Sequence, residues 1–195
     1  MEFTENEIYH IYNRGNNKQP IFFNDGNYLY FLTKVRKFLL PHCNVLAYCL
    51  MPNHFHFLVN TDQRSIVTKT IGNLDRNVLS EGIRNLLQTY TKAINVQNKR
   101  TGSLFQQNTK AKHIARGSEN YDLICIHYIH QNPIKSELVQ KMEDWPYSSF
   151  KDYCGLRNGT LCNKQLAFKL LDMHADTFYP DSYKIIDNDL TSKFL

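Results

Sequence analysis

Residues 44–60 read NVLAYCLMPNHFHFLVN, and the pairing of this stretch decides the fold. Asn44 to Leu50 and His54 to Asn60 are two strand-length runs, apolar or alternating, with the break Met51, Pro52, Asn53 between them. They predict a β-hairpin or two adjacent strands. Side chains alternate across a strand, so His54 and His56 share one face while Phe55 and Phe57 point to the other. Two imidazoles two residues apart can both reach one cation. The same pair also suits a half-exposed sheet face that binds nothing, so the short motif does not decide the matter alone.

Working outward, Ile8 to Arg14 (IYHIYNR) is rich in aromatic and β-branched residues and stops at Gly15, which predicts a strand. A helix follows, with Asp25 as its cap and Tyr28, Phe31, Leu32, Val35 and Leu39 at helical spacing until Pro41. Beyond the pair of strands, Arg64 to about Lys99 keeps a helical pattern interrupted at Gly72 and Gly82, which predicts one long or broken helix. Ser103 to Ile114 supplies a fourth strand, and Ser118 caps a helix through Tyr121, Ile124, Cys125 and Tyr128 to a break at Pro133. The resulting order, βαββαβ with an added helix, is that of an α+β, ferredoxin-like antiparallel sheet with helices on one face. Residues 1–156 read as one domain. Residues 157–195 read as a slightly acidic C-terminal appendage with a short helix over Gln165 to Met173, and not as a DNA arm.

With 42% hydrophobic residues in 195, the chain can bury an ordinary core. No apolar run approaches the ~20 residues of a membrane-spanning helix, and the opening MEFTENEIYH is acidic, so a cytoplasmic protein without membrane contact is expected. Five cysteines, an odd set without a CxxC pair, indicate neither a disulfide framework nor a zinc ribbon and predict reduced, mostly packed thiols. The net charge of +5 is unevenly placed: Thr61 to Arg116 holds ten basic residues against three acidic ones. Such an excess suits a surface that meets a polyanion, or a solvated helix face.

The late segment HYIHQNP offers a second cluster. Tyr128 and Asn132, at i and i+4, stack on one helix face. A tyrosine hydroxyl can attack a phosphodiester, and an amide oxygen one turn on can complete the coordination of a metal that polarises the phosphate. The alternative is a core aromatic with its hydroxyl at the surface.

IYHIYNRGNN, AYCLMPNHFHFLV, GSLFQ, YIHQNPIKSELV and WPYSSFKDYCG, in this order and spacing over roughly residues 8–156, resemble the single-tyrosine HUH transposases of insertion sequences, particularly the REP-associated branch. The resemblance implies that His54 and His56 are the metal-binding pair and Tyr128 the nucleophile. The third ligand falls on Asn132, where better-known relatives have glutamine, with Gln131 as substitute. It further implies Mg²⁺ or Mn²⁺, single-stranded DNA with hairpin ends as substrate, a covalent 5′-phosphotyrosine intermediate and a homodimer. Arg14, Arg100, Lys110 and Lys112 are the candidate DNA contacts, although Arg14 equally suits an ordinary solvated arginine. After GSLFQ the chain departs from the pattern, with Gln107, Asn108, Thr109 and Lys110 where a basic and aromatic pair is expected. Two rivals are a domesticated nucleic-acid-binding protein of the same fold, and an unrelated zinc hydrolase built on His54 and His56, for which neither the HFH nor the YIHQN segment supplies a carboxylate.

Overall fold

The computed structural model describes residues 1–71, 74–114 and 121–184. Strand β1 (Ile8–Arg14) leads through a short 3₁₀ turn to helix α1 (Asp25–Phe38). Asn24, one residue before the expected cap, starts this helix: its side chain accepts the Asn27 amide at 3.1 Å. Strands β2 (Asn44–Met51) and β3 (His54–Asn60) form a hairpin paired from Asn44↔Asn60 to Met51↔His54, with a bulge between Val45 and Ala47. Strand β6 (Lys110–Ile114) completes a four-stranded sheet in the order β2-β3-β1-β6, every neighbour antiparallel. This is the ferredoxin-like order expected from the sequence.

The stretch 64–99 departs from the expected single helix. It begins with the short helix α2 (Gln63–Ile66), continues as a two-stranded hairpin of β4 (Thr68–Ile71) and β5 (Leu74–Asn77), and only then forms α3 (Val78–Gln97). The β-branched Thr68, Thr70 and Ile71 favour extended backbone. The Asn77 side chain, accepting from the amides of Leu79 and Ser80, restarts the helix there. Gly82 does not break α3. A Cβ at this position would lie 2.2 Å from the Phe38 carbonyl oxygen, so glycine lets α3 approach α1 closely.

Helices α1 and α3 cover one face of the sheet. Phe31 of α1 packs at 5.4 Å from Phe55 and 4.8 Å from Tyr90, and the Tyr90 hydroxyl donates to the Ile21 carbonyl at 2.7 Å. The fourth strand is shorter than expected. Residues 103–109 run as a loop tied to Gly15 and Asn16, because Phe105 bridges to Gly15 and Asn13 Nδ2 donates to Thr109 Oγ1.

Helix α4 (Tyr121–Lys135) lies on the opposite face, against β2 and β3, so helices cover both faces rather than one. It also passes through Pro133 instead of ending there. Proline cannot donate to the Ile129 carbonyl, and Asn132 Nδ2, which donates to the Tyr128 carbonyl at 2.9 Å, also reaches that of Ile129 at 3.5 Å. The expected cap Ser118 lies outside the described residues.

Short helices α5 (Phe150–Tyr153), α6 (Lys164–Leu170) and α7 (Phe178–Ser182) follow. Residues 157–184 return onto the same hydrophobic core: Leu161, Ala167 and Phe178 are buried in it, and Arg157 pairs with the buried Asp152 at 2.6 Å. All five cysteines are free thiols, four of them buried. No helix among the described residues is long and apolar enough to cross a membrane.

Candidate active site between the sheet and helix α4

The strand register assembles the site. Tyr12 pairs with His56 and Arg14 with His54 across β1 and β3, while Cys49 and Met51 of β2 flank the two histidines on the other side. Cross-strand partners share a face, so His10, Tyr12, Arg14, His54 and His56 all lie on the side that α4 covers. From above, α4 brings the Tyr128 ring to 5.8 Å from His56 and 6.2 Å from His10, both edge-on.

Each histidine of the pair has its Nδ1 engaged. His54 Nδ1 lies 2.6 Å from Asn53 Oδ1. An amide oxygen only accepts, so this nitrogen carries the hydrogen and His54 Nε2 keeps a lone pair. His56 Nδ1 lies 2.8 Å from His10 Nε2. His56 Nε2 is buried and has no hydrogen-bond partner among the described residues. Burial holds His56 well below the usual histidine range, helped by His10, His54 and Arg14. Burial and Arg14 likewise push His54 down to about 4. Both rings are therefore neutral at pH 7, the form that binds metal.

Asn132 and Gln131 part company here. The Asn132 side chain sits close enough to the His54 ring and the Tyr128 phenol to bear on both titrations. With Nδ2 held by backbone carbonyls, its oxygen is the atom left for the site. Gln131 turns the other way, its amide donating to the carbonyls of Ser182 and Lys184 at 2.8 and 2.9 Å. A metal ion suits this donor set: the orphaned His56 Nε2, the free lone pair of His54 Nε2, and a neutral amide oxygen. Among the described residues no three His, Cys, Asp or Glu side chains form a metal-holding group, so the third protein donor would be such an amide.

Burial pushes the Tyr128 hydroxyl up to about 12, so forming a phenolate there calls for positive charge close by. Lys135 is a candidate, its Nζ 5.7 Å from the Tyr128 ring centre; the charge of Arg14 bears instead on His54 and His56.

The expected DNA contacts divide between two faces. Lys110 and Lys112 pair with Tyr12 and His10, which places them beside Arg14 on the histidine face. Arg100 lies on the other side, where Arg84, Lys92, Lys99 and Phe105 help line a groove of about 1040 Å³ between α3 and the 103–109 loop. Gln107, Asn108 and Thr109, from the segment that departs from the family pattern, line that groove too. The sequence had shown the strand carrying His10, but not its role. Its only signal was the period-2 series His10, Tyr12, Arg14, which acquires meaning once β1 is paired with β3.

The fold and this cluster define a class: an α+β protein that sets a tyrosine from an added helix over a histidine pair on an antiparallel sheet. The profile of the family described as "Transposase IS200 like" matches residues 4–132. The chain belongs to this family, the IS200-like transposases. It is similar to a solved structure, that of a REP-associated tyrosine transposase bound to a REP hairpin, with a TM-score of 0.57 at 18% identity, over 96% of this chain and 97% of that one. No curated protein sequence is similar enough to count as a match.

Proposed function

We propose that this transposase cuts and rejoins single-stranded DNA through a covalent 5′-phosphotyrosine at Tyr128, with a divalent metal, Mg²⁺ or Mn²⁺, held by His54, His56 and Asn132. The observation that carries the reading is the placement of the Tyr128 ring against two neutral histidines, one of them with its Nε2 buried and without a hydrogen-bond partner among the described residues. A metal held by these residues would supply charge that polarises the phosphate oxygens. Tyr128 attacks the phosphorus, the Tyr128 oxygen–phosphorus bond forms as the bond to the 3′ oxygen breaks, the phenol proton passes to water, and the leaving 3′ oxygen takes a proton from water to become a hydroxyl. A later 3′ hydroxyl reverses the step on another strand, so no nucleotide cofactor is needed.

Arg14, Lys110 and Lys112, on the face of Tyr128, are placed to hold the phosphates around the scissile bond. Arg100 and the groove beside α3 suit a separate run of backbone. The similar structure was solved with a hairpin, which supports a DNA hairpin as the element recognised here. The family resemblance also implies a homodimer in the cytoplasm. Each protomer would then keep its own tyrosine, since α4 is tied to its own chain by Gln131 and by His130, whose Nε2 lies 2.7 Å from Ser149 Oγ.

The test is to incubate the protein with a labelled hairpin from the gene's flanks and Mg²⁺ or Mn²⁺, then run a denaturing protein gel. The wild type is expected to carry covalently linked DNA and Tyr128→Phe none. Binding by both without linkage under either metal would replace this reading with that of a DNA-binding module.

A further inference from the structure

His10 is absent from the proposed metal set, yet it is one of the most enclosed polar groups in the molecule. It is 0% exposed, and its ring lies nearly parallel to that of His56, 17° apart with centres separated by 5.0 Å. The two rings meet nitrogen to nitrogen at 2.8 Å. A contact of that kind holds one hydrogen between two lone-pair positions, so one ring donates and the other accepts.

Hydrogen bonding alone does not decide which ring donates, since His10 Nδ1 and His56 Nε2 are both buried; the need of a ligating His56 for a lone pair does. If the shared hydrogen belonged to His10, neutral His56 would carry its own hydrogen on Nε2. That would put a hydrogen on the nitrogen that the metal reading needs as a ligand, leaving His56 no lone pair for a cation. If the hydrogen sits on His56 Nδ1, then Nε2 offers a lone pair, which a cation satisfies. We propose that His10 is the positioning residue for His56: its Nε2 accepts the hydrogen of His56 Nδ1 and holds His56 in the tautomer, and the ring orientation, that leaves Nε2 free to ligate.

This rests on the metal reading above and adds a specific division of labour to it. Ligating histidines ordinarily donate their second N–H to a carboxylate, a carbonyl or water. His54 follows that habit through Asn53 Oδ1. His56 has a neutral imidazole instead, which orients the ligand without adding negative charge to the site. His10 reaches this position because it stands two residues before Tyr12, the cross-strand partner of His56, so the pair is a diagonal one on a single face.

The experiment has two arms on the full-length chain. In ¹⁵N-histidine-labelled, metal-free wild type at neutral pH, long-range ¹H–¹⁵N spectra are expected to show His56 protonated on Nδ1. Protonation on Nε2 would overturn the proposal without any variant having to fold. In the second arm Mn²⁺ affinity is measured by calorimetry. His10→Phe is expected to bind about 10–100-fold more weakly. His10→Gln, whose side-chain oxygen can accept, is expected to recover most of that loss, with both variants as folded as wild type by circular dichroism. Equal Mn²⁺ affinity in wild type and a folded His10→Phe overturns the role of His10 alone. No Mn²⁺ binding by wild type overturns the metal reading and this proposal with it.

Discussion

The two faces of the sheet are built from the same strands and could hardly differ more. On the α1 and α3 side, Phe31, Phe55, Phe57 and Tyr90 pack ring against ring, and the Tyr90 hydroxyl is hydrogen-bonded. On the α4 side, His10, Tyr12, His54 and His56 form a row of polar rings under Tyr128, and the buried Nε2 of His56 has no hydrogen-bond partner among the described residues. The first face resembles any stable core. The second keeps a polar atom buried and open, which costs stability unless something binds there. The sheet thus separates folding from chemistry by the alternation of its side chains.

The separation breaks down if substitutions on the apolar face leave stability intact. Phe31→Ala, at a fully buried ring touching Phe22, Phe55 and Tyr90, is expected to lower the unfolding free energy by about 3–5 kcal/mol in urea titrations. An intermediate effect comes from acid and locates a third region, the contact between α4 and the C-terminal residues. His127 packs on Phe178 and meets Ser182 Oγ at 3.0 Å, and burial lowers its pKa from 6.5 to about 4. A histidine kept neutral in the fold contributes stability that is complete above the unfolded value and is lost as pH falls from 6.5 through about 4. The loss attributable to this group is about 2–3 kcal/mol by pH 4. Melting curves of His127→Gln should be flatter than wild type over that window, and identical curves would refute the assignment. The smallest change in stability is expected at the site itself. His56→Leu should shift the unfolding free energy by no more than about 1 kcal/mol, since it trades a lost bond to His10 for the removal of an unpartnered polar atom. It should nevertheless abolish Mn²⁺ binding in calorimetry and covalent linkage to DNA. Large destabilisation with metal binding retained would mean that the polar row is a structural network.

Much of this was legible in the chain itself. Alternation assigned His54 and His56 to one face and Phe55 and Phe57 to the other, and helical spacing put Tyr128 and Asn132 together. The errors also have physical causes. The 64–77 stretch carries apolar residues at spacings compatible with a helix, but the β4–β5 ladder and the Asn77 cap prevail there. The stop expected at Pro133 failed because the Asn132 side chain serves the carbonyl that proline leaves without a donor.

The sequence by itself determined which residues could do the chemistry and which side of its own strand or helix each would occupy, because periods of two and 3.6 residues are local properties of the backbone. Only the tertiary structure decided that His10 meets His56, that Asn132 rather than Gln131 faces the site, and that Arg100 and Lys110 serve opposite faces. Those facts depend on strand register and on which side of the sheet a helix lands. Both are settled by the simultaneous burial of distant segments, and a shift of one residue in register would exchange one face of a strand for the other.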